Sequence, residues 1–367
     1  MDEAKVVIIG GGVVGCAVAM EVSKRTGDVF VLEQMPKVGM GASTRNSGVI
    51  HSGLYYTPGS LKARHCVEGN RLTYEFCGAH GIPHRRTGKL VVATTEEEEV
   101  ELPALLKRGQ ANGVEGLRIV DRTAIRAREP HVEGRAAIEV PTTGIVTSEE
   151  LMKAYARVAT EQGAEIVTHA KVEALEPRRD SIVVRSSTCQ VAARCVVNSA
   201  GLFADEVAAL AGNTRYRVYP VRGEYCEVVR EKSHLIQALV YPLPHPEGLS
   251  LGVHFTKTMW GTVLVGPTAR YIEDKNDYER DLLPVEEFAH RAQTLLPGIR
   301  PADLRLAYTG IRAKLVPPGG KGPADFIIER DATCPHMIHL VGIESPGLTA
   351  AASIAKQVAA MVAETVG

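Results

Sequence analysis

The feature that most constrains this chain is a glycine cluster set between a strand and a helix. Lys5-Val6-Val7-Ile8-Ile9 is a run of branched apolar residues, the pattern of a buried strand. Gly10-Gly11-Gly12 follow, and Val13 to Arg25 then continues at helical period. Val29-Phe30-Val31-Leu32 reads as a second buried strand that ends at Glu33. The three pieces make a βαβ unit. Within it, Gly10-x-Gly12-x-x-Gly15 has dinucleotide-binding spacing, and Glu33 stands where a ribose acceptor is needed. Gly10 permits the tight turn, Gly12 lets a pyrophosphate reach the backbone, and Gly15 lets helix and strand pack closely. The helix N-terminus, with Val13 and Val14, offers free N–H groups to the phosphates.

Composition narrows what such a chain can do. Its 367 residues suggest two or three domains, and 45% hydrophobic with 23% charged residues is the mixture of a globular protein. Lys plus Arg total 42 and Asp plus Glu total 43, so no bulk positive field exists to hold nucleic acid. Seven cysteines include no CxxC and no zinc-ligand spacing, so reduced thiols and no metal site are expected. The apolar stretch Val6 to Met20 is broken by glycines and follows Asp2 and Glu3, which excludes a signal peptide or membrane span there.

The expected fold class is α/β (α+β overall). A Rossmann-like dinucleotide-binding domain is built from discontinuous segments, 1–85, 145–215 and 305–367. An inserted antiparallel β-rich substrate domain comes from 86–144 and 216–304. Ser60 is expected to cap a helix through His80, and Gly347 to Val366 to form the last helix.

NAD and FAD share the glycine fingerprint, and two further junctions favour FAD. Val197-Asn198-Ser199-Ala200-Gly201 is a strand ending in small residues, so Ser199, Ala200 and Gly201 are expected against the cofactor. The segment Gly342-Ile343-Glu344-Ser345-Pro346-Gly347-Leu348-Thr349 is a third strand-to-helix junction, whose helix N-terminus suits the negative charge of a reduced flavin. Gly342, Ser345, Pro346, Gly347, Leu348 and Thr349 therefore join the expected contacts. No second GxGxxG is present for NAD(P)H, so reducing equivalents are expected directly from the substrate. In Thr44-Arg45-Asn46-Ser47-Gly48-Val49-Ile50-His51, Arg45 can pair with pyrophosphate, Asn46 and Ser47 can bond phosphate or the flavin edge, and His51 can face the ring. Thr44, Gly48, Val49, Gln34 and Val172 complete the expected cofactor set.

Several of these blocks resemble one family. Gly48 to Tyr56, Pro58, Ser60-Leu61-Lys62-Ala63, Gly88-Lys89-Leu90, Pro220-Val221-Arg222-Gly223-Glu224-Tyr225, Leu251-Gly252-Val253-His254-Phe255-Thr256 and Gly342 to Thr349 look like the L-2-hydroxyglutarate dehydrogenase/oxidase family. That family lies among the D-amino-acid-oxidase-like flavoproteins. The resemblance implies FAD-dependent oxidation of L-2-hydroxyglutarate, a small dicarboxylate hydroxy acid, to 2-oxoglutarate. It implies electrons passing to a quinone or oxygen, and a cytoplasmic location with peripheral contact at the cytoplasmic membrane. Thr268 departs from the pattern, since relatives more often carry Asn or Asp after Gly266-Pro267.

Such a reaction needs a base for the hydroxyl proton and cations for two carboxylates. His254 is the first choice of base, with His51 competing. Arg312 resembles the position from which related flavoenzymes clamp a carboxylate, and between Ile311 and Ala313 it needs a partner. Tyr241 and Lys62 are candidates for the second carboxylate, and Arg222 reads as structural. Amines, amino acids and glycerol 3-phosphate stay open as substrates, as does a flavin-loaded module without turnover.

Overall fold

The computed structural model describes residues 2–244, 251–320 and 322–367. Two large sheets organise them. In the first, strands Met337–Val341, Gln190–Asn198, Asp2–Ile9, Val29–Leu32 and Glu165–Val167 run parallel in that order. Ile182–Ser186 and Val172–Pro177 extend the sheet antiparallel from the early residues of Gln190–Asn198, and Ile327–Arg330 flanks Met337–Val341.

The parallel strands are apolar on both faces because both faces are covered. On one side helix Val13–Ser23 packs between helices Ser148–Glu161 and Gly347–Val366. Ile8, Val18, Val31, Tyr155 and Ile354 share that core. On the other side Val7, Ile9, Val184 and Val196 pack together. This is the doubly covered sheet that the opening βαβ unit predicts. Ser60 caps helix Leu61–Ala79 by accepting from the Ala63 N–H at 3.1 Å.

The second sheet runs Arg118–Asp121, Ala136–Val140, Lys89–Ala93, Leu239–Pro242, His254–Lys257, Val263–Gly266, Tyr219–Val228 and Leu304–Lys314, with Arg270–Tyr271 also on Tyr219–Val228. It is antiparallel except that Leu239–Pro242 and Lys89–Ala93 run parallel. Leu304–Lys314 pairs with Tyr219–Val228 over almost its whole length. The segment from 305, expected to begin in the dinucleotide-binding domain, therefore opens with a strand of the other sheet. Its alternation reads the same in either place, and only pairing decides. A small sheet of Val49–Ile50, Gly144–Val146 and His84–Arg85 lies beside them. No helix among the described residues is long and apolar enough to cross a membrane.

Candidate active site

The carboxyl ends of the parallel strands open into a cavity of about 1930 Å³ that continues to the face of the second sheet. At its first end lies the glycine junction. Gly10 has φ +103°, and a Cβ there would stand 2.7 Å from the Ser199 carbonyl. A Cβ on Gly15 would come within 2.0 Å of the Gly10 carbonyl, so only glycine lets this helix sit so close to its strand. Helix Val13–Ser23 has no side-chain cap at Gly12, which leaves its positive end facing the cavity.

Glu33 organises the junction from the next strand. Its Oε2 accepts from the Gly11 N–H at 2.7 Å and its Oε1 from the Met35 N–H at 2.8 Å. A carboxylate has about four lone-pair sites, so ribose hydroxyls can still donate to it. Ser43, which sequence reasoning missed, accepts from the Val13 N–H at 2.8 Å and lines the wall. Its only signal is membership of a small-residue loop.

Gly10, Gly12, Val13, Val14, Glu33, Gln34, Val172, Ser199, Ala200 and Gly201 line the cavity around this end. Arg45, Asn46, Ser47, Val49, Ser345, Pro346, Gly347 and Leu348 line it further along. Arg45 lays its guanidinium over the Tyr278 ring, 4.3 Å from the centroid. Asn46 shapes its own loop, accepting from the Gly48 N–H and donating to the Ser43 carbonyl. Five expected contacts lie off the wall. Gly15 is consumed by helix packing, and the Thr44 hydroxyl donates to the Gly39 carbonyl. Gly48 is pressed on Val146 and Gly342 on Leu315. The Thr349 hydroxyl accepts from the His51 N–H at 2.9 Å and donates to the Val49 carbonyl.

The residues present fit FAD. The volume, the glycine cradle, the helix N-terminus and the continuation of the cavity to the second sheet suit a long dinucleotide that ends in a planar ring. Gly10, Gly12, Glu33, Ser43 and the Ser199–Gly201 turn would hold its adenosine and phosphates. Ser47, His51 and the Ser345–Leu348 turn would face its ring.

At the second end His254, Tyr241, Arg312 and His51 all line the wall. The His254 ring stacks on Tyr241 with centroids 3.7 Å apart. Its Nδ1 lies 2.8 Å from the Gly252 carbonyl. A carbonyl only accepts, so Nδ1 carries the proton and Nε2 is left with a free lone pair. Burial drives the His254 pKa down to about 3, with Lys89, His51 and Arg312 also disfavouring the cation. His51 is likewise lowered to about 3 by burial and by Lys89. Its Nε2 meets the Ser345 hydroxyl at 3.3 Å, and its buried Nδ1 has no hydrogen-bond partner among the described residues.

Arg312 donates to the Thr268 carbonyl at 3.1 Å and is paired with no carboxylate among the described residues. Glu344 acts on it through space without forming an ion pair, and the departure Thr268 forms its seat. Lys62 lines the same cavity. Its ammonium binds Glu344 at 2.9 Å, and Lys314 binds the same oxygen at 3.3 Å. Burial opposes the Glu344 charge, but Lys62 and Lys314 outweigh it and hold its pKa below the usual range. Lys62 is thus committed to a residue 282 positions away, which no local pattern reveals. Arg222 is buried in an ion pair with Glu224 and Asp277, as its structural reading expects.

The profile of the FAD dependent oxidoreductase family matches residues 5–361. The chain belongs to that family. L-2-hydroxyglutarate dehydrogenase of Indibacter alkaliphilus is 34% identical, over 95% of this chain and 96% of that one. The Escherichia coli K12 protein of the same name is 32% identical, over 97% and 92%. Among solved structures, FAD-bound L-alpha-glycerophosphate oxidase of Mycoplasma pneumoniae superposes with a TM-score of 0.90 at 26% identity, covering 99% of this chain and 95% of that one. The chain is therefore an FAD-dependent flavoprotein oxidoreductase, and the family's cofactor matches the cradle described above.

Proposed function

We propose that this enzyme oxidises L-2-hydroxyglutarate to 2-oxoglutarate and passes the electrons to a quinone or oxygen, the former by peripheral contact with the cytoplasmic membrane. The observation that carries the reading is Arg312. It is a cation without an acid partner among the described residues, beside a neutral histidine with a free lone pair, in a chain about a third identical to enzymes of that name. We also place the boundary of the substrate unit after Lys314, so that strand Leu304–Lys314 belongs with the second sheet.

When bound, FAD supplies a two-electron acceptor for the hydrogen on the substrate's α-carbon. The chain's own residues do the rest. Arg312 presents a planar fork that suits the carboxylate next to the reacting carbon. Arg312, Lys314 and Lys62, set against Glu344 and Asp325, leave this wall one positive charge in surplus to draw in the distal carboxylate. His254 Nε2 takes the hydroxyl proton. Its Nδ1–H to the Gly252 carbonyl and its stack on Tyr241 fix the ring for that transfer. A dianionic substrate raises the basicity of the imidazole as it enters, because opposite charge favours the cation.

The test is anaerobic mixing of the FAD-loaded protein with each enantiomer of 2-hydroxyglutarate and with glycerol 3-phosphate, read by the oxidised flavin spectrum. Bleaching by the L enantiomer alone is expected. Bleaching by glycerol 3-phosphate alone would replace the substrate with that of the glycerophosphate oxidase.

A further inference from the structure

Lys89 is a buried cation that the reaction as described does not use. It opens strand Lys89–Ala93 at 1% exposure. An ammonium in such a place costs several kcal/mol unless it is paired. No carboxylate among the described residues forms an ion pair with it. Its Nζ instead donates to the Tyr55 hydroxyl at 3.2 Å and lies over the rings of Tyr55 and Tyr241, 4.4 and 4.6 Å from their centroids. Lys89 is off the cavity wall, whereas Tyr55 and Tyr241 are both on it.

Donor chemistry sets the direction of the Lys89–Tyr55 hydrogen bond. An ammonium has three N–H donors and no acceptor. The Tyr55 oxygen must therefore accept from Lys89, and its own hydrogen must point elsewhere. No acceptor for that hydrogen is found among the described residues, and Tyr55 lines the cavity. We infer that Lys89 is a positioning residue that holds the Tyr55 hydroxyl as a hydrogen-bond donor to a substrate carboxylate, so that Tyr55 and Arg312 together grip the diacid. The inference rests on the substrate reading above.

The arrangement depends on the charge of Lys89. The titratable groups around it are Tyr55, Cys66 on helix Leu61–Ala79, Tyr241 and His254 on neighbouring strands, and His51; none is a carboxylate. Burial lowers Lys89 to about 7, and Cys66 acts weakly the other way. Above that pH the neutral amine can accept the Tyr55 proton, which turns the donor away from the cavity. A bound dianion restores the ammonium. The consequence is a fall in kcat/KM above neutrality while kcat holds, since the first reports the free enzyme and the second the complex.

The experiment measures kcat/KM and kcat for L-2-hydroxyglutarate from about pH 5.5 to 9 on FAD-loaded wild type, Tyr55→Phe, Lys89→Met, the double variant and Lys89→Arg. It also follows lysine ionisation by NMR with ε-¹³C-lysine. Tyr55→Phe and Lys89→Met should each lower kcat/KM about tenfold or more. The double variant should lose little beyond either one. Lys89→Arg should keep activity and remove the alkaline limb, because a guanidinium does not deprotonate. One lysine signal should titrate near 7 and vanish in Lys89→Arg. Additive losses, a wild-type alkaline limb in Lys89→Arg, or lysines that all titrate near 10 would each overturn the inference. If Lys89→Met fails to load FAD, Tyr55→Phe and Lys89→Arg decide. Wild type inert toward L-2-hydroxyglutarate would sink the substrate reading instead, and the NMR titration would still judge Lys89.

Discussion

Arg222 and Arg312 stand on adjacent antiparallel strands, with Arg312 opposite Val221, so the two side chains leave opposite faces of one sheet. On one face Arg222 is 0% exposed and fully answered. Glu224 and Asp277 lie at 3.2 Å, and the Asp277, Arg280 and Asp281 carbonyls accept as well. On the other face Arg312 has one carbonyl, and the missing side chain of Gly223 makes its room: a Cβ there would stand 2.8 Å from the guanidinium. The two cations share a strand pair and differ in how completely the protein buries and neutralises them. A charge that the fold satisfies is part of the scaffold, and one left short of partners is waiting for a ligand.

The sharpest way to break this contrast is to remove each guanidinium and ask what fails. Arg222→Met leaves Asp277 unpaired and Glu224 with Arg270 alone. It should lower unfolding free energy by about 3 kcal/mol or more, measured by denaturant titration, while the protein that remains folded keeps its kcat. Arg312→Met should do the reverse. Stability and FAD content should stay near wild type, and kcat/KM should fall roughly a hundredfold, the loss expected for one partner of a charge-assisted pair. A stability loss in the second variant with unchanged kinetics would make both arginines scaffold.

A smaller effect concerns acid. The folded pKa of His254, about 3, lies below the ordinary value near 6.5. Between those values the unfolded chain binds a proton that the folded chain refuses. Stability is therefore complete above about 6.5 and declines as pH falls toward 3. His254→Asn should flatten that decline, by at most about 1.4 kcal/mol per pH unit, in melts compared between pH 6.5 and 5.5. A slope identical to wild type would mean that the imidazole is not held neutral.

The dinucleotide half is legible because its information is local. Buried parallel strands read as apolar runs, glycine spacing encodes the turn, and Glu33 sits one residue past its strand. The substrate half is legible in composition but not in pairing. Nothing near Leu304 announces Tyr219–Val228 as its neighbour, and nothing near Lys62 announces Glu344. His254 and Arg312 stand out in the sequence as single residues, and the structure places both on one chamber wall. Lys89 carries a subtler signal. A lysine at the head of an all-buried strand, Lys89-Leu90-Val91-Val92-Ala93, has no solvent to reach and must find another reason to be there. Ser43 has no such signal, because a serine in a glycine-rich loop is ordinary.

Glu33 carries one more consequence. By tying the amides of Gly11 and Met35 with its two oxygens, it rigidifies the nucleotide loop from within the protein. The entropy of ordering that loop is then lost when the polypeptide folds, not when a coenzyme arrives. A freshly made molecule thus meets its cofactor with the receptacle already set, and capture becomes a matter of contact alone.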